Sequence, residues 1–509
     1  MDVETLLGID IGTSGTKTVL FDTAGKAIAS YTADYPMYQP HNGWAEQDAA
    51  DWWGAVVKGI GKVLEKSGAK PGLIRGIGLS GQMHGLVMLD KDGDLLRRAI
   101  IWCDQRTGAE AGQINSLVGP KRIIEITANP VMTGFTAAKI LWVRNNEPDI
   151  YEKCAHILLP KDYIRYKLTG EFATEVSDAA GMQLMDIPHR SWSDEVLTKL
   201  SIDKSLLAGM YESQDLTGKV SKAAADATGL RAGTPVAGGA GDNPAAAVGA
   251  GVIREGVAFT TVGSSAVVYA VSDNVTIDLE GRVHTLCASA PGKWTVMSCT
   301  QAAGLSLQWL RNTCCAQEVE QALAQSADPY DIMDALAEGV PIGANKLLFL
   351  PYLMGERSPH PDPDCRGVFF GLSAIHGRAE LIRAVMEGVA YSQRECVDVF
   401  KEMGVEINDM LVCGGGARSP FWRQMLADLY ACPVSLTEAD EGPALGAALL
   451  AGVCAGVYES VEQACKIAVR KGQTQQPDMI AHMQYEPYFV LYKKLYWGLK
   501  SDFKFLAGI

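Results

Sequence analysis

The chain has 509 residues, 48% hydrophobic and 20% charged, which is too long for one ordinary core and fits a soluble globular protein of two domains or more. Its 45 basic residues stand against 59 acidic ones, a formal net charge of -14 with no Lys/Arg cluster, and this argues against nucleic acid or an anionic membrane surface as a partner. The 12 cysteines form no CxxC pair and no zinc-like spacing, as expected of reduced cytoplasmic thiols. The longest uncharged run, 442–458, is too rich in Gly and Ala to span a bilayer.

The start, MDVET, is acidic and leads straight into a strand, so no secretory or mitochondrial leader is expected. Residues 6–21, LLGIDIGTSGTKTVLF, read as two apolar strands joined by a turn that gathers backbone N–H groups and hydroxyls. Such a turn can cradle phosphates, and Asp10 stands just before it, where a carboxylate can hold magnesium through water. Residues 47–66 carry Trp52, Val56, Ile60 and Val63 at helical spacing behind Asp48 as cap. A strand at 74–79 ends in Ser80-Gly81-Gln82-Met83-His84-Gly85; polar residues at the end of a buried strand face ligand crevices in α/β folds, although by type alone His84 reads as a structural histidine. A hairpin over 86–102, turning at Asp92-Gly93, brings Trp102, Asp104 and Arg106 to the same rim. Residues 132–146 read as an amphipathic surface helix with Lys139 on its polar face. Residues 161–181 read as a short helix followed by polar loop that includes Asp178, and no chemical signal follows as far as 230.

At 238–251 the chain reads GGAGDNPAAAVGAG, a lone Asp242 among glycines with Asn243 and a helix-opening Pro244 behind it. A backbone without bulk lets a substrate approach this carboxylate, which suits a general base; capping the helix is the plainer role for it. Residues 257–271 then repeat the first device: Val262-Gly263-Ser264-Ser265-Ala266 echoes Ile11-Gly12-Thr13-Ser14-Gly15. The repeat reads as an internal duplication of one fold with its seam near 250, hence two domains, 1–250 and 251–509, unless the two hairpin turns are alike by chance. Later come a helix opening at Ala302-Ala303-Gly304, a polar stretch to 340, a Pro/Gly-rich loop over 347–372 and a helix over 380–399. A strand over 409–412 then runs into Gly414-Gly415-Gly416, a glycine run suited to close approach of a phosphorylated or flat ligand.

This combination resembles the actin, hexokinase and Hsp70 type of fold, which implies an α/β chain of two duplicated, ribonuclease H-like domains with ATP in the cleft between them. More narrowly, the chain resembles the FGGY carbohydrate kinases from end to end, through GFTAAKILWVRNN at 134–146 and GVFFGLSAIHGRAELIRAVME at 367–387. AEQDAADWW, SGQMHG, IWCDQRT, GAGDN and GERSPHPDPDCRGVFFGL carry the resemblance on the substrate side. It implies that Met83 and His84 contact a sugar, with Trp102 and Asn243 beside them, and that Asp242 is the proton acceptor. Thr13, Ser14 and Lys17 would serve the first phosphate turn, Gly263 and Ser264 the second, with Gly304 nearby and Gly415 near the adenosine. Asp10 and Asp242 would flank Mg2+. The implied activity is phosphoryl transfer from ATP to a small ketose, D-xylulose at its 5-hydroxyl, with ribulose, erythritol or arabinitol as alternatives, in a cytoplasmic enzyme with a homodimer as a possible assembly. An ATP-driven conformational machine or scaffold of the same fold is the alternative of a different class; it would have no use for QMHG, WCDQRT and Asp242-Asn243 together.

Overall fold

A computed structural model describes residues 3–437 and 442–509; Met1 and Asp2 of the acidic start lie outside them. The Thr5–Ile11 strand is apolar and buried along nearly its whole length because it lies at the centre of a sheet covered on both faces. It pairs antiparallel with Gly15–Asp22 and parallel with Ile74–Gly81. Ala27–Asp34 extends one edge, Pro235–Ala237 and Leu216–Lys219 the other, and the short Ala240–Gly241 strand also adds to Ile74–Gly81. The Ala49–Ser67 helix packs on Gly15–Asp22 and Ala27–Asp34, while Gly442–Cys454, much later in the chain, packs on Thr5–Ile11 and Ile74–Gly81. The first of these helices has the expected cap: Asp48 Oδ1 accepts from the Ala50 N–H at 2.9 Å.

A second sheet repeats this plan. Gly256–Val262 pairs antiparallel with Ala266–Ser272 and parallel with Ile407–Cys413, which is followed by parallel Val434–Thr437 and antiparallel Lys471–Gln475. Trp294–Thr300 takes the place outside Ala266–Ser272 that Ala27–Asp34 has in the first sheet. The likeness of the two hairpins thus extends to the order and sense of whole sheets. The nearly all-round buried helix Arg378–Glu402 forms the middle of the second core, and the 29-residue helix Met479–Ala507 closes it with Tyr485, Phe489, Tyr492 and Tyr496. Val257, Phe259 and Tyr269 share an apolar cluster with Ile140, Met182 and Leu184, so the two halves are joined by a common core. Among the described residues no helix is long and apolar enough to cross a membrane.

Three local expectations change. The helix Thr136–Asn146 is buried on all sides over most of its length, and Lys139 lies inside with no exposed surface; apolar residues at 137, 138, 140, 141 and 143 leave it no polar face. Over 86–102 the hairpin forms around the Asp90–Asp94 turn, with antiparallel bridges Leu86–Ile100 and Leu89–Leu95, but its arms also pair elsewhere, Val87–Leu89 with His156–Leu158 and Ala99–Ile100 with Glu46–Gln47. The polar stretch before 340 holds two helices, Ala316–Gln325 and Pro329–Glu338, the second capped by Asp328.

Candidate active site

The glycine-rich loop is built by steric necessity. Gly239 has φ 72°, and a Cβ there would stand 2.1 Å from the Leu79 carbonyl oxygen; one on Gly241 would stand 2.8 Å from Met83 Cγ. The loop therefore presses against the end of the Ile74–Gly81 strand and delivers Asp242 beside Met83. Asp242 is the first residue inside the helix Asp242–Ala250, with Gly241 at the cap position, so the plainer capping role does not hold. Pro244 is correspondingly the third helical residue, where its missing N–H still costs nothing. The Asp242 carboxylate accepts from the Asn243 backbone N–H at 2.7 Å and from Asn243 Nδ2 at 3.0 Å. Asp10, whose Oδ1 accepts from Ser80 Oγ at 2.9 Å, adds its charge to the same place. Burial, and then the Asp10 charge, push the Asp242 carboxyl up to about 7.

His84 forms the adjoining wall in a conformation that a non-glycine residue seldom adopts, φ 67°. Four neighbours hold it there. Lys139 Nζ donates to the His84 carbonyl at 2.7 Å and to Gly134 at 2.8 Å, and Thr136 Oγ1 donates to the same His84 oxygen at 3.1 Å. Burial in this role brings the Lys139 amine down to about 7. The His84 ring stacks on Phe135 with centroids 4.5 Å apart, and its Nδ1 lies 2.9 Å from the Gly181 carbonyl oxygen. A carbonyl can only accept, so Nδ1 carries the proton and Nε2 is left as an acceptor. Burial holds the ring neutral, with its pKa brought down to about 3.

Each hairpin turn is closed by its first glycine, but over different spans: Gly12 N–H donates to Gly15 O, three residues on, and Gly263 N–H to Ser265 O, two residues on, each at 3.0 Å. At the first turn Thr13 is fixed by Trp102, whose Nε1 donates to Thr13 Oγ1 at 2.9 Å, and by Gln47 Nε2 on its carbonyl at 2.6 Å. Accepting from Trp102 leaves the Thr13 hydroxyl proton available to an incoming oxygen. Ser14 receives the Tyr35 N–H at 3.3 Å on its carbonyl, and Lys17 sits across the hairpin from Asp10. At the second turn the Gly304 N–H donates to Gly263 O at 2.7 Å, an approach so close that a Cβ on Gly304 would lie 2.6 Å from that oxygen.

Gly263, Ser264, Gly304 and Gly415 all line one cavity of about 560 Å³, which Asp334 and Ser419 close at the far end. Burial pushes the Asp334 carboxyl up to about 6, against the Ser419 hydroxyl bonded to it. Thr13 and Ser14 lie on the other turn and Lys17 in the strand after it, and none of them lines this cavity, whereas Met83 and His84 meet at Gly181 and Met83 packs on Gly241 next to Asp242. Asp104 and Arg106 prove to be packed beneath the rim, paired with one another at 2.7 Å, and do not face it. Gln47, Gln82 and Arg357 lie within stretches quoted from the sequence, AEQDAADWW, SGQMHG and GERSPHPDPDC, without having been singled out there. Gln82 Nε2 donates to Gln47 Oε1 at 2.7 Å and thereby ties the QMHG turn to the first helix.

Two sheets of one plan, each opening on a glycine-hydroxyl hairpin turn, with a cavity at the second turn, define the actin/hexokinase-like class of ATPase fold. The chain belongs to the FGGY family of carbohydrate kinases, whose N-terminal domain matches residues 5–249 and whose C-terminal domain matches residues 258–455. It is similar to the xylulose kinase of Bacillus subtilis (strain 168), 37% identical with 97% of each chain covered, and to that of Escherichia coli (strain K12), 38% identical with 97% of this chain and 99% of the other covered. Among solved structures it is similar to xylulose kinase from Rhodospirillum rubrum, 30% identical with a TM-score of 0.92, covering 98% of this chain and 100% of that one.

Proposed function

We propose that this carbohydrate kinase transfers the γ-phosphoryl group of ATP to the 5-hydroxyl of D-xylulose, with Asp242 as proton acceptor. The observation that carries the mechanism is a raised carboxyl, Asp242, delivered by glycines that leave room for a substrate, beside a neutral histidine with a free acceptor nitrogen. Full-length similarity to xylulose kinases supports xylulose as the acceptor.

His84 Nε2 accepts a hydrogen bond from one sugar hydroxyl, and the sugar lies between Met83, Trp102 and the Asp242-Asn243 pair. Asp242 takes the proton of the attacking hydroxyl as its oxygen bonds to the γ-phosphorus and the bond to the bridging oxygen of ADP breaks. Asn243, which donates twice to Asp242 Oδ1, leaves Oδ2 for that proton. The N–H groups and hydroxyls of the Thr13-Ser14 and Gly263-Ser264 turns donate to phosphate oxygens, with Lys17 beside the first turn and Gly415 on the nucleoside side. Asp10 and Asp242 fit Mg2+: the two carboxylates stand close enough for the charge of one to act on the other, and this ion is commonly held by one or two carboxylates plus phosphate oxygens and water. When bound, it supplies positive charge against the transferred phosphoryl group.

ADP formation measured with xylulose, ribulose, erythritol and arabinitol tests the assignment. The expected result is the highest kcat/KM with xylulose; a clear preference for another acceptor overturns it, and no stimulation by any of them favours an ATP-driven machine. The Asp242 carboxyl must be ionised to accept a proton, so kcat/KM for the sugar should rise as pH increases through about 7 and be lost below it. A profile flat from about pH 6 to pH 8 would remove Asp242 as the base.

A further inference from the structure

The wall formed by Met83 and His84 comes from the first half of the chain, yet a cationic side chain of the second half stands close enough for its charge to act on His84. Arg357 stands in the loop between the Leu348–Leu350 and Val368–Phe370 strands. Its backbone is anchored by Glu356, whose Oε1 accepts from the N–H groups of Arg357 and Gln301 at 2.8 Å each. Arg357 Nη2 lies 3.3 Å from His284 Nε2 and 3.5 Å from Met132 Sδ. His284 Nδ1 lies 2.8 Å from Asn129 Oδ1, which can only accept, so Nε2 is unprotonated and receives the guanidinium. The His284 ring is 5.9 Å from Phe135, which stacks on His84 at 4.5 Å. The Arg357 charge therefore sits two rings, His284 and Phe135, away from His84.

A guanidinium withdrawn from water is costly unless strong acceptors surround it. Arg106, Arg190 and Arg383 have carboxylates, Asp104 at 2.7 Å, Glu212 at 2.6 Å and Glu387 at 2.6 Å, and the buried Arg423 has the Ala417 and Arg418 carbonyls and Gln473 Oε1. Arg357 has a neutral imidazole and a thioether, its Nε is buried without a partner, and among the described residues no carboxylate pairs with it. Arg357 is half-buried, and a ligand oxygen in place of solvent would give its guanidinium the acceptor that the protein does not.

We infer that Arg357 is a specificity-determining residue for the acceptor, its guanidinium donating to oxygen atoms of the sugar at the end remote from the hydroxyl facing Asp242. The inference rests on the sugar-kinase reading of the site. It carries a consequence for ligand class. A carboxylate at that end makes a charge-assisted, two-pronged pair with a guanidinium, which a ketone or hydroxyl oxygen cannot. A five-carbon sugar acid therefore occupies the same site as a competitive ligand.

The test uses the full chain, with xylonate as probe and ADP formation as readout, in wild type, Arg357→Gln and Arg357→Lys. In the wild type, xylonate should compete with the sugar and not with ATP. Arg357→Gln should raise KM for the sugar at least about tenfold and the xylonate inhibition constant about tenfold more than that, with KM for ATP within about twofold, and Arg357→Lys should fall between. Xylonate that fails to compete in the wild type overturns the inference without any variant. So does an Arg357→Gln enzyme whose sugar and ATP constants change alike, or whose ratio of xylonate to sugar binding is unchanged. Should Arg357→Gln not fold, Arg357→Lys and the wild-type competition decide. If xylulose is not the acceptor, the same ratios are measured with the sugar that is, so failure of the acceptor assignment and failure of Arg357 remain separate results.

Discussion

Asp242→Asn should lower the rate of sugar phosphorylation by at least about a hundredfold, the scale of a lost general base. The fold should survive. Asparagine has the shape of aspartate and keeps an acceptor oxygen for the two donors of Asn243, at 2.7 Å and 3.0 Å. Removing the charge also relieves the repulsion from Asp10 that, together with burial, raises this carboxyl. The variant should therefore melt no lower than the wild type while losing turnover, a combination that a helix cap would not give, since losing a cap lowers stability. Initial rates of ADP formation with saturating sugar, set beside a thermal melt, measure both. A folded Asp242→Asn enzyme that turns over near the wild-type rate would take Asp242 out of the mechanism.

What the sequence made legible was what depends on neighbours in the chain. Both hairpins, the Asp48 cap and the glycine run before Asp242 are local devices: a turn needs glycine where a side chain would clash, and that need is written at the turn itself. The likeness of Ile11-Gly12-Thr13-Ser14-Gly15 to Val262-Gly263-Ser264-Ser265-Ala266 therefore pointed to a duplication that the two sheets repeat strand by strand. Lys139 was misplaced because its polar partner, the His84 carbonyl, lies 55 residues away, and nothing within the helix itself says that an amine will be buried there. The same holds for His284, which meets Asn129 across 155 residues, and for Arg357, which meets His284 across 73. The helices Ala316–Gln325 and Pro329–Glu338 bury few residues, so their apolar stripes are too thin to stand out from polar loop.

Gly446→Ala should lower both stability and turnover, although it lies far along the chain from the reacting groups. The helices Asp242–Ala250 and Gly442–Cys454 cross with their backbones in contact: a Cβ on Gly446 would stand 1.9 Å from the Ala245 carbonyl oxygen and 2.9 Å from the Gly249 nitrogen. From the other side, a Cβ on Gly249 would stand 2.0 Å from the Gly442 carbonyl oxygen. These are main-chain atoms, which cannot turn aside as a flexible side chain would. Nor can Gly442–Cys454 retreat, because its opposite face rests on the first sheet, where Gly8 and Gly78 leave no room beside the Ala444 and Ala447 carbonyls. The added methyl must therefore displace the helix that begins at Asp242. Overpacking of this kind costs about 1–3 kcal/mol, and a shift of about 1 Å at a reacting group can cost about a hundredfold in rate. Gly61→Ala is the control: it sits in the helix Ala49–Ser67 with open space around its Cβ, and should leave turnover unchanged and stability equal or slightly higher. Thermal melts and saturating rates of the two variants decide the matter, since a Gly446→Ala enzyme that melts and turns over like Gly61→Ala would mean that the crossing of these helices does not set the position of Asp242.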